Sequence, residues 1–258
     1  MQLSFTPFEK TFLTIGPISL NYYGLMYALG AIFVYFVIKN LFRKQKVNIN
    51  NDQILNLLTY GVAGVILGGR IGYILFYNVS YYFSNPLKIF AVWEGGMSFH
   101  GGLLGVILAG YLFCRKNKFN FYQLADIVIV PIFIALALGR LGNFINGELV
   151  GRISDVPWAM EFEGYPGLRH PSQLYEFAKN ILTFGILYYL LKYKLKQGTY
   201  FWLGIMFYGL LRFLIEFTRE PDIQIGFIFN YLTMGQLLSF PMLVIGLWMV
   251  VRLNYVNK

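Results

Sequence analysis

The sequence predicts an all-α, polytopic membrane protein of about seven transmembrane helices, with its N-terminus outside, its C-terminus inside and a small external loop subdomain. Three observations lead to this prediction. Hydrophobic residues make up 57% of the 258-residue chain and charged residues only 13%, against about 25% charged residues in a typical soluble domain. The hydrophobic residues gather into segments long enough to cross a bilayer. Lysine and arginine concentrate in alternate connections between these segments.

Seven segments of roughly 17–25 predominantly apolar residues, the length that spans a hydrocarbon core, follow one another along the chain. They cover residues 20–38, 54–76, 97–113, 127–145, 174–191, 200–217 and 231–251. The fifth segment is the most polar, because Glu176, Lys179 and Asn180 lie in its first turns. We expect residues 1–258 to form one integral membrane domain.

The distribution of cations predicts the orientation of the chain. With the N-terminus outside, the inner connections carry twelve lysines and arginines and the outer connections carry five. Positively charged loops stay in the cytoplasm, so this bias predicts an N-out, C-in topology. It also accounts for the net charge of +9 without a nucleic-acid partner, since the cations lie in short loops rather than in a groove-lining patch. The one long outer connection, residues 147–171, is the predicted external subdomain.

The sequence implies no metal and no cofactor. Cys114 is the single cysteine, so the chain cannot form an internal disulfide. Two histidines and one cysteine cannot complete a structural zinc site. The HExxH motif of a metalloprotease does not occur in the sequence.

Residues 139–152, GRLGNFINGELVGR, end the fourth span with a cluster of polar residues. An arginine near the bilayer centre costs about 2.5–3.5 kcal/mol on insertion scales, so one found there usually faces a partner, a polar cavity or a ligand. Arg140, Asn143 and Gly147 are spaced i, i+3 and i+7, which predicts that they share one helical face. The end of this span is therefore a candidate site.

Polar residues of five spans are predicted to lie at one depth. At about 1.5 Å per residue, Arg70, Arg140 and Arg212 lie roughly 18–24 Å from the inner ends of their spans, in the outer half of a core about 30 Å thick. Four further polar residues lie near the same outer side: Tyr23, His100, Asn146 and Glu148. The excess of positive charge predicts an anionic ligand, and a lipid phosphate suits the planar, permanently charged guanidinium. A histidine beside it could act as general base.

Each of these residues also has a structural interpretation. Arg212 and Glu216, at i and i+4, could form an ion pair. Arg70 could extend along its helix toward water, and His100 could bridge helices by hydrogen bonds. From the residues alone, a lipid-headgroup enzyme and a transporter for an anionic lipid or solute both remain open. An intramembrane serine protease is disfavoured, because Ser98 and His100 at i and i+2 point away from each other on a helix.

Five further motifs accompany GRLGNFINGELVGR and extend over almost the whole chain. They are NYYGLMYALG (21–30), GGRIGYILFYN (68–78), WEGGMSFHGGLLG (93–105), HPSQLYE (170–176) and YGLLRFLIEFTREPD (208–222). In this order, the six motifs resemble the prolipoprotein diacylglyceryl transferase family. The resemblance implies transfer of the sn-1,2-diacylglyceryl group of phosphatidylglycerol to the lipobox cysteine thiol of a prolipoprotein. A thioether forms and glycerol phosphate is released.

The resemblance also implies where the protein works and what it meets. It implies a multi-pass protein of the bacterial cytoplasmic (inner) membrane, with its active site facing the outer leaflet. The partners are phosphatidylglycerol, the prolipoprotein signal peptide with its lipobox cysteine, and membrane lipids. The acceptor thiol belongs to the substrate, so Cys114 is not expected to be catalytic. The odd number of spans and the lack of internal repeats argue against the transporter alternative.

Ten site residues follow from matching the motifs residue by residue: Tyr23, His100, Arg140, Asn143, Asn146, Glu148, Gly151, Tyr208, Arg212 and Glu216. We expect Arg140 and Arg212 to stabilise the departing phosphate and His100 to deprotonate the acceptor thiol.

The remaining residues are expected to support these three. Asn143, Asn146 and Tyr208 would orient the lipid headgroup. The two carboxylates, Glu148 and Glu216, would anchor the arginines. Arg70 is added as a headgroup ligand from its depth alone.

Overall fold

The computed structural model describes residues 3–5, 11–15, 18–221, 226–228 and 231–256, and these residues are mostly helical. Their eight α-helices are α1 (Tyr22–Lys44), α2 (Asn51–Tyr77), α3 (Val79–Ser84), α4 (Phe99–Asn117), α5 (Phe121–Ile145), α6 (Ser172–Leu190), α7 (Thr199–Ile215) and α8 (Met234–Val251). Short 3-10 turns cover Pro86–Phe90, Val92–Glu94 and Glu216–Thr218.

Seven short strands accompany the helices in the described part of the chain: β1 (Leu3–Phe5), β2 (Thr11–Ile15), β3 (Ile18–Asn21), β4 (Met160–Phe162), β5 (Leu168–Arg169), β6 (Phe227–Ile228) and β7 (Leu232–Thr233). The first, fourth and fifth form a three-stranded sheet in the order β1-β4-β5. The other four form two antiparallel pairs, β2-β3 and β6-β7.

Several helices begin at a side chain that satisfies the free backbone N–H groups of the first turn. Asn50 and Gln53 form a capping box at the start of α2. Thr233 and Gln236 form the same arrangement at the start of α8, and Ser98 caps α4. These caps explain why the helices start where they do within long apolar stretches.

Each of the seven predicted spans overlaps one long helix, and several of the helices extend beyond the predicted bounds. Five of these helices are long and apolar enough to cross a membrane: Tyr22–Lys44, Asn51–Tyr77, Phe121–Ile145, Thr199–Thr218 and Met234–Tyr255. The predicted polytopic, helical architecture is therefore confirmed. The two remaining helices, α4 and α6, are less apolar over their length than these five.

The α6 helix turns its polar residues inward and its apolar residues outward. Four polar side chains at helical spacing are 1% exposed: Gln173, Glu176, Asn180 and Thr183. On the opposite side, Leu182 is 55% exposed and Tyr189 is 59% exposed. This is the reverse of a soluble amphipathic helix, and it leaves a charged stripe to be satisfied within the protein.

Contacts divide the chain into two compact units, residues 38–125 and residues 1–37 with 126–258. In the first, α2 packs against α4 along a seam of glycines. A Cβ atom on Gly72 would lie 2.8 Å from the Cα of Gly101, and one on Gly105 would lie 2.9 Å from the Cα of Gly68. These distances show that the glycines let the two backbones approach closely, as small residues do where helices pack in a membrane.

In the other unit, α7 packs against both α6 and α8. A Cβ atom on Gly209 would lie 2.6 Å from the backbone nitrogen of Leu243. The start of α7 is fixed by Asp126, whose carboxylate accepts hydrogen bonds from the N–H groups of Gly198 (2.6 Å) and Phe201 (2.8 Å). A side chain of α5 thus caps the N-terminus of α7, which ties the two helices together.

The predicted external segment, residues 147–171, contains β4 and β5. The N-terminal strand β1 pairs in parallel with β4, so Phe5 lies opposite Phe162. The Phe5 ring centroid is 4.4 Å from that of Phe144 and 5.8 Å from that of Phe162, which is 1% exposed. The segment is thus held to the end of α5 by an aromatic core that includes a residue from the start of the chain.

Candidate functional site

The α5 helix ends at Ile145 in a turn that uses Gly147. This residue has φ 65°, a conformation that glycine adopts without steric cost. Its N–H donates to the carbonyl of Phe144 (2.9 Å), and the N–H of Glu148 donates to the carbonyl of Asn143 (2.9 Å). These two bonds are those of the Schellman motif, which closes a helix with a left-handed residue.

This helix end corrects one prediction. Gly147 lies beyond α5 and does not share a helical face with Arg140 and Asn143. The prediction was wrong because it extended the helical spacing through the Asn-Gly pair, which is itself a helix-stop signal. Arg140 and Asn143 both lie within α5, so these two residues, at i and i+3, still share one helical face.

The glycines on either side of Arg140 make room for two tyrosines of α1. A Cβ atom on Gly139 would lie 3.5 Å from the hydroxyl of Tyr27, and one on Gly142 would lie 3.0 Å from the ring of Tyr23. The hydroxyls of Tyr23 and Tyr27 are 3.0 Å apart and form a hydrogen bond. The predicted site residue Tyr23 therefore packs directly on the helix that carries Arg140.

Glu176 of α6 is the shared counterion of three cations. Its carboxylate forms ion pairs with the Nε of Arg140 (3.6 Å), with the Nζ of Lys179 (2.9 Å) and with the guanidinium of Arg212. The Glu176 side chain is only 2% exposed. Burial of a lone carboxylate would be strongly unfavourable, so this residue depends on its partners as much as they depend on it.

A second carboxylate, Glu216, extends the network beyond α7. It lies 2.7 Å from the Nη2 of Arg212 and 3.7 Å from the Nε of Arg219, and it accepts a hydrogen bond from the hydroxyl of Thr233 (3.0 Å). The i, i+4 ion pair between Arg212 and Glu216 is therefore present. It is one link of a larger network rather than an isolated structural pair.

We call the residues joined by these contacts the ion cluster: Arg140, Glu176, Lys179, Arg212, Glu216 and Arg219. Four of the six are cations and two are carboxylates, which gives a formal charge of +2. Tyr208 lines the cluster, with its ring centroid 4.2 Å from the Nζ of Lys179. An excess of positive charge in a buried site favours an anionic ligand.

Arg140 is the cation that a ligand could reach. Its side chain is 21% exposed, the most of the three that pair with Glu176. Among the described residues, no acceptor takes a hydrogen bond from its two terminal nitrogens. Those nitrogens form the fork that binds two phosphate oxygens at once.

Two amides and a carboxylate lie where α5 ends. Asn143 is 6% exposed. The Nδ2 of Asn146 lies 3.4 Å from the carboxylate of Glu148, and the Oδ1 of Asn146 is buried without a hydrogen-bond partner within the described ranges. A buried amide oxygen of this kind is suited to accept a hydrogen bond from a ligand hydroxyl.

Gly151 lies at the crossing of three segments. Its N–H donates to the carbonyl of His170 (3.0 Å), and its own carbonyl accepts from Arg169 (3.0 Å). A Cβ atom at this position would lie 2.6 Å from the carbonyl oxygens of both His170 and Thr218. Only glycine permits this approach, so the predicted site residue Gly151 acts through the backbone.

The HPSQLYE motif holds the turn that follows α5. The side-chain amide of Gln173 donates to the carbonyl of Glu148 (2.6 Å), and the hydroxyl of Ser172 donates to the carbonyl of Leu149 (2.9 Å). Burial lowers the pKa of His170, an effect that the nearby Asp155 carboxylate opposes. The motif thus positions both the turn and, through Glu176, the arginines.

The other two predicted site residues, Arg70 and His100, lie in the unit of residues 38–125. The Arg70 side chain donates to the carbonyls of Ile89 (2.9 Å), Ala91 (3.0 Å) and Gly96 (3.3 Å). Its carbonyl partners all lie within residues 88–96, and the residue is 4% exposed. This geometry favours the structural interpretation, in which Arg70 holds this segment, over the predicted contact with a headgroup.

His100 is the second residue of α4 and is partly exposed. Ser98 precedes it as the N-cap, with its hydroxyl accepting from the N–H of Gly101 (3.3 Å) and its own N–H bound to the carbonyl of Gly69 (2.8 Å). Ser98 thus fixes the start of the helix that carries the histidine. Ser98 is therefore the N-cap that precedes α4 rather than a residue within the helix.

Sequence reasoning missed Glu176 and Lys179 as site residues. In the sequence, both residues stand out only because they make the fifth span polar. The available signal was a carboxylate and a lysine at i and i+3 in the first turns of a membrane segment, where an ion pair is expected to face other charges.

Comparison with known proteins supports a single family. Residues 10–252 match the family described as prolipoprotein diacylglyceryl transferase. The chain is 51% identical over 254 residues to the phosphatidylglycerol–prolipoprotein diacylglyceryl transferase of Geobacter sulfurreducens, covering 98% of each chain. The protein of the same name from Rickettsia felis is 46% identical over 261 residues, covering 98% of this chain and 99% of its own. The one from Aliivibrio salmonicida is 47% identical over 251 residues, covering 96% and 89%.

Replacement of Glu176 by Gln tests the role of the shared counterion. We expect the variant to lose about 3–5 kcal/mol of unfolding free energy, because removal of one partner leaves buried charges uncompensated. Chemical unfolding of the purified protein in detergent measures this loss. Glu163→Gln, the same change at an exposed position, is the control and should be nearly neutral. A Glu176→Gln variant as stable as the control would show that the cations do not depend on Glu176.

Proposed function

The chain belongs to the prolipoprotein diacylglyceryl transferase family, and we propose that it transfers the diacylglyceryl group of phosphatidylglycerol to prolipoproteins. Relatives at 46–51% identity over nearly the full chain carry the name of this activity. The observation that carries the proposal within the molecule is the ion cluster, with its formal charge of +2 and with Arg140, whose terminal nitrogens find no acceptor in the part of the chain that the structure describes. Neither the family nor the named relatives support the alternative of an anion transporter.

The main requirement of the proposed reaction is that the protein stabilises the departing phosphate. The thiolate of the lipobox cysteine attacks the glycerol carbon that bears the phosphate, a C–S bond forms, and the C–O bond to phosphate breaks. Glycerol phosphate leaves, and the product is a thioether. Arg140 and Arg212 would stabilise the negative charge that develops on the departing phosphate, which is the task of preorganised donors in a site with little water.

The other residues would hold the headgroup and the cations in place. Asn143, Asn146 and Tyr208 would contact the headgroup. Glu216 would fix Arg212, as their 2.7 Å contact supports. Glu148 would orient the amide of Asn146, from which it lies 3.4 Å away, and His100 would take the proton from the acceptor thiol.

The finer topology is part of the proposal. Seven spans in one membrane domain, an N-out and C-in orientation, and an active site facing the outer leaflet of a bacterial inner membrane account for the distribution of cations. The exposed side of α4 supports its membrane location, because Leu104 (67%), Leu108 (57%) and Leu112 (50%) form an apolar stripe at i, i+4 spacing. The exposed apolar side of α6 supports the same conclusion for that helix.

Cysteine labelling tests the orientation. In a Cys114→Ala background, a cysteine at position 155 should react with an impermeant reagent added to intact cells, because residues 147–171 are proposed to lie outside. A cysteine in place of Lys194 should react only after the membrane is opened, and it serves as the matched control. The reverse pattern would move the site to the inner leaflet.

The activity itself is tested with purified protein, labelled phosphatidylglycerol and a lipobox peptide, by the appearance of a thioether-linked diacylglyceryl peptide. Arg140→Lys should lower the rate at least a hundredfold, since an ammonium retains the charge but cannot reproduce a two-oxygen guanidinium contact. Lys192→Arg, a charge-conserving change at an exposed site, should leave the rate unchanged. A wild-type protein that forms no labelled peptide would refute the proposed function. A rate of Arg140→Lys within a few fold of wild type would refute the bidentate role.

The role of His100 is tested by the pH dependence of its Gln variant. If His100 removes the thiol proton, His100→Gln should be well folded but slow at pH 7. Its rate should partly recover as pH rises, because a thiol with an ordinary pKa of about 8.5 then ionises in water. A near wild-type rate of a well-folded Gln variant at pH 7 would remove His100 from the catalytic residues. The thermal stability of His100→Leu distinguishes the catalytic role from a purely structural one. If His100 only bridges helices, the Leu variant should be less stable, because it leaves a hydrogen-bonding partner unsatisfied.

A further inference from the structure

Lys179 contributes a positive charge that the structure of the ion cluster does not require. Its side chain is 3% exposed and its Nζ lies 2.9 Å from the carboxylate of Glu176. Glu176 already has two permanent cations, Arg140 and Arg212, as partners. A lysine in the apolar part of a membrane protein is expensive, so a third cation on one carboxylate indicates a purpose other than neutralising it.

The charge of the cluster with and without this lysine decides what it can bind. Without Lys179, three cations face two carboxylates, and the formal charge of +1 matches a phosphodiester, which carries one negative charge. With Lys179 the charge is +2, which matches a phosphate monoester, whose charge is close to −2 above its second pKa of about 6. Two charged residues at the edge of the site, Glu148 and Arg152, have opposite signs and leave this count unchanged.

We propose that Lys179 is a specificity-determining residue that tunes the ion cluster to the phosphate monoester dianion leaving the reaction rather than to the phosphodiester of the lipid. The inference rests on the proposed function. As the C–O bond breaks, its electron pair stays on the phosphate oxygen, so the phosphate group passes from one negative charge to two. The thiol proton goes to the base, and the sulfur takes the place of that oxygen on carbon. Charge therefore balances without any further reactant.

This arrangement would accelerate the reaction. A group that interacts more strongly with the transition state than with the ground state raises turnover, whereas one that binds both equally only lowers KM. Lys179 holds its charge beside Glu176, and Glu176 touches both arginines, so its effect on the phosphate is transmitted through the cluster. The second negative charge develops only as the bond breaks. Lys179 should accordingly affect kcat more than KM.

Two soluble probes, one with a doubly charged phosphate and one with a singly charged phosphate, can be compared at a single pH. Glycerol 1-phosphate is a monoester, and glycerophosphoglycerol is the matching diester with the same headgroup atoms. Binding of each to the full chain in detergent is measured by calorimetry at pH 7.5. We expect wild type to bind the monoester at least tenfold more tightly than the diester. Lys179→Met should lose at least tenfold in affinity for the monoester and less than threefold for the diester, with Lys192→Met as a control that changes neither.

The same variant is followed in the transfer assay. Lys179→Met should lower kcat at least tenfold with a change in KM for phosphatidylglycerol of less than threefold, a pattern that a general loss of structure would not produce. Equal affinities of wild type for the two probes, or no binding of either, would overturn the inference even if the variant failed to fold. A proportional loss of both affinities in Lys179→Met would also overturn it. Failure of the proposed function is recognised separately, because wild type would then form no thioether product.

Discussion

The candidate site depends on one buried carboxylate. Glu176 is 1% exposed and is contacted by cations from three helices, Arg140 on α5, Lys179 on α6 and Arg212 on α7. In a medium of low dielectric constant, neither the acid nor the bases can be tolerated alone. Three motifs that lie far apart in the sequence are therefore one electrostatic unit. Movement of any one of these helices would break ion pairs and leave charged residues on the other two without a counterion.

Backbone contacts fix this unit more firmly than side chains alone could. The turn after α5 is closed by Gly147 and held by hydrogen bonds from Ser172 and Gln173 to its carbonyls. Gly151 then allows three segments to meet at distances that no side chain permits. Because Gln173 and Glu176 lie one turn apart on α6, the contacts that hold the turn also set the position of the shared counterion. Positioning of this kind is what electrostatic stabilisation of a transition state requires.

Much of the fold and part of the site could be predicted from the sequence. Every long helix of the described chain overlaps one hydrophobic segment of membrane length, because in a bilayer backbone groups must be satisfied within the segment. Arg140 and Arg212 stand out in the sequence because arginine is rare at their predicted depth in a membrane. Pairing of residues 3–5 with residues 160–162 could not be predicted, since it joins distant parts of the chain and leaves no local pattern.

Depth alone also could not distinguish a ligand-facing arginine from a structural one. Arg70 lies in the predicted polar layer, yet its donors are taken up by main-chain carbonyls of residues 88–96. Arg140, predicted to lie at a similar depth, keeps its terminal nitrogens without an acceptor among the described residues. The difference lies in what surrounds each guanidinium. A site that must bind an anion has to leave some of its positive charge unsatisfied, and that same charge makes the empty site less stable. The partial exposure of Arg140 (21%) relieves this instability, so the most solvated cation of the cluster is also the one proposed to contact the phosphate.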